Sequence, residues 1–163
     1  MAGPLKGLKI LDFTTLLPGP YATMTLADLG AEVLRVVSGS RLDLVTFFPP
    51  FIPDTALSCG IAYLGRGKRC MALNLKDPRA GSIVRRLIAE YDILIEQFRP
   101  GIMAKFGLDY ESLKAANHRL IYCSLTGYGQ TGPLRDRAGH DINYLARSGV
   151  LSYSGRRAGG PAP

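Results

Sequence analysis

The segment GHDINY, residues 139–144, places an imidazole, a carboxylate and a phenol close together in the sequence. Histidine gains and loses a proton near neutral pH, so His140 can serve as a general base or acid. The segment that follows predicts that His140 stands at the start of a helix, with Asp141 at the favourable end of the helix dipole. Residue types alone therefore make His140 a candidate general base or acid.

A purely structural interpretation of the same segment stays open on residue types alone. Asp141 can cap the helix, and His140 can be exposed or packed without any chemical role. The other histidine, His118, lies in AANHRL at the predicted end of a helix, with no motif around it. We expect a structural or surface role for His118.

The net charge of the chain is +7, from 20 Lys and Arg against 13 Asp and Glu. Such a charge suits a polyanionic partner, whether nucleic acid, an acidic membrane or a phosphorylated cofactor. The basic residues are spread along the chain and form neither a dense basic tail nor a basic helix with interleaved aromatics. This distribution favours several phosphate contacts from separate loops. We therefore expect neither nucleic acid nor a membrane as the partner.

The composition, 47% hydrophobic and 20% charged, predicts one globular domain over residues 1–163. No apolar run reaches the roughly 18 residues that a membrane span needs, and Lys6, Lys9 and Asp12 interrupt the N-terminal stretch that could pass for a signal peptide. We expect a soluble cytoplasmic protein, or a mitochondrial or peroxisomal one if the source is eukaryotic.

Metal-binding and disulfide patterns are missing from the sequence. Cys59, Cys70 and Cys123 are odd in number and widely spaced, and two of them lie in apolar segments that read as strands. We expect free, buried thiols. No cysteine and histidine spacing typical of zinc occurs, so we expect no metal site.

Short apolar segments alternate with segments of helical periodicity along most of the chain. This alternation predicts a Rossmann-like, doubly wound parallel α/β sheet with flanking helices. Residues 38–67 are less regular and read as a long functional loop. In the first helix we expect Pro20 at the first helical position and Gly30 as C-terminal cap. In the second we expect Asp77 as cap and Pro78 at the first helical position. A short helix at 100–107 and a helix at 109–119 with Asp109 as cap follow. The predicted strands are residues 8–14, 31–37, 70–75, 92–98 and 120–129.

Ligands of such sheets bind at the carboxyl ends of the strands, where this chain has polar and basic loops. The G-x-G-x-x-G fingerprint of dinucleotide sites and the phosphate-binding P-loop motif are both absent from the sequence. The G-x-S-x-G nucleophile elbow of α/β-hydrolases is absent from the sequence too. The sequence therefore predicts a phosphate-binding α/β protein outside these three motif classes.

Five segments in order resemble the family III CoA-transferase superfamily, and most closely its α-methylacyl-CoA racemases. The segments cover nearly the whole chain apart from residues 38–64, and the racemase motif GHDINY is matched in full. They are GLKILDFTTLLPGPYATMTLADLGAEVLRV at 7–36, GRGKRCMALNLKDPRAG at 65–81, DILIEQFRPGIMAKFGLDYESL at 92–113, LIYCSLTGYGQTGP at 120–133 and AGHDINYLARSGVLS at 138–152.

The resemblance implies an enzyme that acts on acyl-CoA thioesters without a prosthetic group. It implies the N-terminal part of a Rossmann-like large domain, in a longer protein that forms an interlocked homodimer. Racemases of this kind invert the 2-position of 2-methylacyl-CoA thioesters, with His140 as one proton-transfer group. The other is an aspartate in a G-D motif some tens of residues further on. Transferases of the superfamily move CoA between carboxylic acids through an aspartate and commonly have an aromatic residue in place of His140.

The resemblance also implies which residues contact CoA. In the motif around His140, it assigns Gly139, Asp141 and Tyr144 to the ligand site. It places the remaining contacts along the nucleotide, adenine and phosphates: Arg35, Leu73, Asn74, Leu75, Lys76, Gln97, Phe98 and Arg99. Guanidinium groups suit this role because they bind phosphate in bidentate fashion and stack on planar bases. Residue types alone leave open that Leu73 and Leu75 are simply strand core.

Two features differ from the racemase pattern. The loop after the second predicted strand is one residue shorter and lacks an arginine found in racemases, for which Arg41 can substitute. The segment 42–64 is longer than in racemases. We expect little or no racemase activity from residues 1–163 alone, because the second acid is not among them. The alternatives are a CoA-transferase of the same superfamily and a non-catalytic CoA-binding fragment, with nucleic-acid binding a distant fourth.

Overall fold

The computed structural model of the chain describes residues 3–155, in two compact units that divide after Leu125. The first unit contains all five strands, which are β1 (Lys9–Phe13), β2 (Glu32–Val37), β3 (Lys68–Ala72), β4 (Ile93–Glu96) and β5 (Ile121–Ser124). Its helices are α1 (Pro18–Asp28), α2 (Cys59–Gly65), α3 (Ala80–Ile88), α4 (Ile102–Lys105) and α5 (Tyr110–Leu113), with a 3₁₀ helix at Leu44–Phe47. The second unit contains α6 (Asp141–Ser148) and a 3₁₀ helix at Val150–Tyr153.

All five strands are parallel and lie in the order β3-β2-β1-β4-β5. The chain winds from β1 outward to β3 and then returns to the other side of β1 for β4 and β5. The prediction of a doubly wound parallel sheet is therefore confirmed. The winding direction reverses beside β1, and a crevice forms at the carboxyl ends of strands at such a point.

Alternate residues of the strands face two separate apolar clusters, as a sheet covered on both faces requires. Leu11 and Leu94, both fully buried, face the cluster beneath α3, α4 and α5. Ile10 and Val33 face the smaller cluster, to which α1 contributes Leu26 and Ala27.

Strand β3 begins and ends earlier than the sequence predicts. It was expected at 70–75, and it spans Lys68–Ala72. Lys68 and Arg69, at its start, are residue types typical of a loop. The Lys68 ammonium is nevertheless buried and donates to the Pro20 carbonyl at 2.8 Å. Leu73 to Lys76 consequently lie just beyond the carboxyl end of β3.

Strands β4 and β5 also end earlier than the sequence predicts. Strand β4 stops at Glu96, whose carboxylate accepts a hydrogen bond from the Phe98 amide at 2.7 Å, so the predicted extension to residue 98 is wrong. Strand β5 ends at Ser124 instead of residue 129.

Helix α3 begins at Ala80, so the prediction of Asp77 as its cap and Pro78 at its first position is wrong. The Asp77 carboxylate instead accepts from the Arg79 amide at 2.9 Å, which closes a separate turn before the helix. Helix α1 begins at Pro18, so the prediction of Pro20 at its first position is wrong by two residues. The predicted role of Gly30 is supported by its φ of +102° just after the helix.

The irregular segment 38–67 is more ordered than the sequence suggests. It contains the 3₁₀ helix at Leu44–Phe47 and helix α2, so its interpretation as one long loop is corrected. The Ser58 hydroxyl caps α2 by accepting from the Gly60 amide at 3.2 Å and also donates to the Phe48 carbonyl at 2.8 Å. One serine thereby connects the start of α2 to the chain ten residues before it.

The three cysteines are free, but the expectation that they are buried is wrong. Cys59 is half-buried, whereas Cys70 and Cys123 are exposed. Both exposed thiols lie on β3 and β5, which are the edge strands of the sheet. Among residues 3–155, no helix is long and apolar enough to cross a membrane.

Helix α3 offers a matched test of the core. Ile88 is fully buried against the sheet, whereas Ile83 on the same helix is 37% exposed. We predict that Ile88→Ala lowers the free energy of unfolding by about 2–5 kcal/mol, since it removes buried methyl groups and leaves a cavity. Ile83→Ala is the control and should cost clearly less. Urea unfolding measures both, and equal losses would contradict the described packing.

Candidate functional site

A fully buried carboxylate, Asp12, stands at the carboxyl end of β1. It accepts hydrogen bonds from the Thr14 amide at 2.8 Å and from the Thr14 and Thr23 hydroxyls at 2.5 Å each. The Lys68 ammonium lies 3.5 Å from it and donates to the Thr23 hydroxyl at 2.6 Å. The Lys68 pKa is lowered, chiefly by burial, although the charge of Asp12 opposes the shift. This network connects β1, α1 and β3 directly beneath the loops at the carboxyl ends of the strands, which are called the edge of the sheet below.

A second buried ion pair lies beside the first. Arg35 of β2 donates to the Asp43 carboxylate at 2.5 Å, and the two side chains are only 8% and 7% exposed. Arg35 was predicted as a nucleotide contact, and the structure places its guanidinium in this pair. Its contact with CoA stays a prediction.

The loop after β4 contains Gln97, Phe98 and Arg99, three of the predicted CoA contacts. The Gln97 amide donates to the Thr15 hydroxyl at 3.3 Å, which links this loop to the loop after β1 across the reversal of winding. Phe98 packs against the main core, and Arg99 is exposed. The loop therefore presents the exposed guanidinium of Arg99 at the carboxyl ends of the strands.

Residues 73–76 alternate between the core and the solvent. Leu73 and Leu75 pack against the main cluster, whereas Asn74 and Lys76 are exposed. The Leu73 amide donates to the Val37 carbonyl at 2.9 Å, which fixes this segment beside the end of β2. The segment and Arg35 thus belong to neighbouring strand ends.

The second unit contains the remaining predicted residues. His140 is the N-cap of α6, so the predicted helix start is observed, and its imidazole is exposed. The His140 amide donates to the Asn143 side-chain oxygen at 2.8 Å, and the Asn143 amide donates to the His140 carbonyl at 2.9 Å. Within residues 126–155, neither the Asp141 amide nor the Ile142 amide has an acceptor. One helix end thereby presents an imidazole and two free N–H groups.

Tyr144 holds the backbone just before His140. Its hydroxyl donates to the Gly139 carbonyl at 2.8 Å, and its ring meets Tyr128 edge to face with centroids 5.2 Å apart. A Cβ at position 139 would lie 2.7 Å from the Tyr144 ring, so glycine is needed there for close packing. The same ring approaches Gly127 closely. An open depression of about 350 Å³ is lined by Gly127, Tyr128, Tyr144, Leu145, Arg147 and Ser148.

Sequence analysis missed three acidic residues that organise the edge of the sheet, namely Asp12, Asp43 and Glu96. Two of them gave a usable signal, because Asp12 and Glu96 interrupt otherwise apolar strands, and a buried charge must find a partner. Asp43 gave none, since it stands in the irregular segment. His118 is exposed, as expected. Among residues 3–155, no group of three or more potential metal ligands occurs.

Comparison with known proteins gives consistent results. A family model described as CoA-transferase family III matches residues 5–163. Human succinyl-CoA:glutarate CoA-transferase is 43% identical, covering 97% of this chain and 36% of the relative. Human alpha-methylacyl-CoA racemase is 45% identical, covering 96% of this chain and 37% of the relative. The structure of a CAIB/BAIF family protein from Brucella suis matches with a TM-score of 0.92 and 41% identity, over 100% of this chain and 44% of that one.

The five parallel strands and the family match together define the class of the protein. This chain belongs to CoA-transferase family III. The family resemblance predicted from the sequence is thus confirmed. Its relatives are named both as CoA-transferases and as racemases, and the chain spans little more than a third of the length of these two curated relatives.

The burial of Glu96 can be tested through the pH dependence of stability. Burial is the main cause that raises its pKa, while the Ser124 hydroxyl and the Phe98 amide lower it. Between the ordinary pKa of 4.5 and the raised one, the folded chain holds more protons than the unfolded chain. The contribution of Glu96 to stability therefore falls as the pH rises through this window.

We predict that Glu96→Gln, which keeps an acceptor for the Phe98 amide, removes this dependence. The free energy of unfolding of the variant relative to wild type should be higher at pH 7 than at pH 5. Urea unfolding at both pH values measures it, with the exposed Glu90→Gln as control. A relative stability that is the same at both pH values would contradict the raised pKa.

Proposed function

We propose that this chain is part of an acyl-CoA racemase that inverts the 2-position of 2-methylacyl-CoA thioesters. His140 is the base on one face of the substrate. A CoA thioester is the substrate and no prosthetic group takes part. The observation that carries the proposal is the start of α6, where the exposed imidazole of His140 adjoins two amides that have no acceptor within residues 126–155.

The chemistry requires a base and a stabilised oxygen. The hydrogen on the carbon next to a thioester is acidic because the resulting enolate spreads its charge onto the carbonyl oxygen. When the C–H bond breaks, the proton passes to the His140 imidazole and the electron pair forms the enolate. The amides of Asp141 and Ile142 can donate to the enolate oxygen, as helix N-termini do for anions.

Tyr144 and Asn143 support the same interpretation. The Tyr144 hydroxyl holds the Gly139 carbonyl, and the Asn143 side chain holds the His140 amide. Both contacts fix the backbone on either side of the imidazole, which is exposed. A base needs this combination of a fixed position and access to the substrate. Contacts of Gly139, Asp141 and Tyr144 with the substrate are part of the proposal.

For CoA, we propose the carboxyl ends of β2, β3 and β4 in the first unit. Lys76 and Arg99 are exposed cations there and suit the phosphates, whereas Arg35 is held by Asp43. Asn74 and Gln97 offer polar contacts, and Leu73, Leu75 and Phe98 form the apolar floor. In the complete protein we expect the interlocked homodimer that the family resemblance implies.

A CoA-transferase is the second candidate, favoured by the 43% identity to human succinyl-CoA:glutarate CoA-transferase. The two reactions differ in the bond that breaks. A transferase moves CoA to a free carboxylate and leaves the α-hydrogen in place, whereas a racemase exchanges the α-hydrogen and needs no acceptor acid. A non-catalytic CoA-binding fragment would bind CoA and do neither.

Proton exchange in D₂O tests His140 directly. Inversion needs an acid on the opposite face, but exchange on one face needs only one base. We predict that the chain introduces deuterium at the 2-position of a 2-methylacyl-CoA with retained configuration. His140→Ala should lower the exchange rate by about 10²-fold or more, the usual contribution of a general base. Mass spectrometry measures the deuterium, and chiral chromatography measures the configuration.

His118→Ala is the matched control, since His118 is also exposed and lies outside the motif. It should exchange at the wild-type rate. CoA transfer from the thioester to glutarate, without α-deuteration, would overturn the racemase in favour of the transferase. Saturable CoA binding with neither reaction would leave only the fragment.

A further inference from the structure

We propose that Asp43 is a positioning residue that holds Arg35 and the loop after β1 in place at the edge of the sheet. The loop comprises residues 14–17, and the effect on CoA rests on the function proposed above. Asp43 lies in none of the motifs that resemble the family.

Asp43 joins three segments through its two carboxylate oxygens. Oδ2 accepts from the Leu16 amide at 3.0 Å and from Arg35 Nη2 at 2.5 Å. Oδ1 accepts from the Val45 amide at 3.1 Å and thereby caps the 3₁₀ helix. The division matters because the two oxygens have separate partners. Oδ2 serves the edge of the sheet, and Oδ1 serves only the local turn.

The loop after β1 needs such an anchor. Leu16 has a φ of +61°, in the left-handed region that residues with a side chain rarely adopt. Its amide has Asp43 as acceptor, 27 residues later in the chain. A non-glycine residue remains in this conformation only when its surroundings enforce it, and the bond to Asp43 supplies that constraint.

Arg35 depends on Asp43 for a different reason. Its side chain is 8% exposed, and within residues 3–155 its Nε has no acceptor. Asp43 therefore provides the compensating charge for a guanidinium that is almost removed from water. Without that carboxylate, the buried cation would be unpaired, and it would turn towards the solvent.

Both groups lie where the ligand crevice of a doubly wound sheet forms. Strand β1 stands between β2, which carries Arg35, and β4, which leads to Gln97. Thr15 of the loop accepts the hydrogen bond from Gln97. A CoA that follows these strand ends meets the Arg35 region, the loop and Gln97 in turn. Displacement of Asp43 would thus change both the Arg35 region and the loop after β1.

Asp43→Asn separates the two functions of the carboxylate. The amide keeps an oxygen for the Val45 amide, and its NH₂ group replaces Oδ2, which served Leu16 and Arg35. Amide hydrogen exchange, followed by NMR, measures how firmly the loop is held, and calorimetry measures the Kd for CoA. Both are done at a temperature where the proteins are fully folded. We expect the Leu16 amide to exchange at least about tenfold faster and the Val45 amide at an unchanged rate. The Kd for CoA should rise about tenfold, the effect of losing hydrogen bonds to a charged group.

Asp28→Asn is the control, because Asp28 forms an exposed ion pair with Arg66 at the far end of α1. It should change neither readout. A cycle with Arg35→Met adds a test that general destabilisation cannot imitate. If Asp43 acts through Arg35, Asp43→Asn should weaken CoA binding less in the Arg35→Met background than in wild type.

The inference is overturned if Leu16 exchange is unchanged in Asp43→Asn, or if it accelerates while the Kd for CoA stays at the wild-type value. Additive effects on CoA binding in the cycle would overturn the route through Arg35. A wild-type chain that does not bind CoA contradicts the proposed function, and the exchange of Leu16 then still decides whether Asp43 holds the loop.

Discussion

The arrangement of the sheet edge depends on a carboxylate that is completely removed from water. Burial of Asp12 is costly unless every lone pair finds a donor. Thr14, Thr23 and Lys68 supply these donors from the loop after β1, from α1 and from β3. The cost of the buried charge therefore becomes a constraint, because a shift of α1 or β3 would leave the carboxylate unpaired. The loops that follow these strands are attached to elements that this constraint holds in place.

The second buried pair extends the same principle to the neighbouring strand. Burial is the main cause that lowers the Lys68 pKa, and the charge of Arg35 lowers it further. Two cations side by side would be unfavourable away from water, and the carboxylates of Asp12 and Asp43 balance them. These two cations and these two carboxylates thus form two adjacent buried ion pairs. Lys76 and Arg99, at the ends of β3 and β4, are exposed and are the cations assigned to the phosphates in the CoA site proposed above.

The sequence predicted the parallel sheet well because apolar strands and helical periodicity are local signals. It failed at element ends, where the deciding partner is distant or unexpected. Lys68 resembles a loop residue until Asp12, 56 positions earlier, is recognised as its partner. Asp77 fits the cap of α3, but it bonds to Arg79 and closes an earlier turn. Arg35 was recognised as a candidate contact, whereas its pairing with Asp43 leaves no trace in residue spacing.

The GHDINY segment shows how structural and chemical roles divide within one motif. Gly139 makes room for the Tyr144 ring, Tyr144 holds the Gly139 carbonyl, and the Asn143 side chain holds the His140 amide. The backbone of His140 is therefore fixed by its neighbours. Its imidazole contributes to none of these contacts and is exposed. The imidazole is therefore held in place by its neighbours and open to solvent, which is the arrangement that the proton transfer proposed above requires.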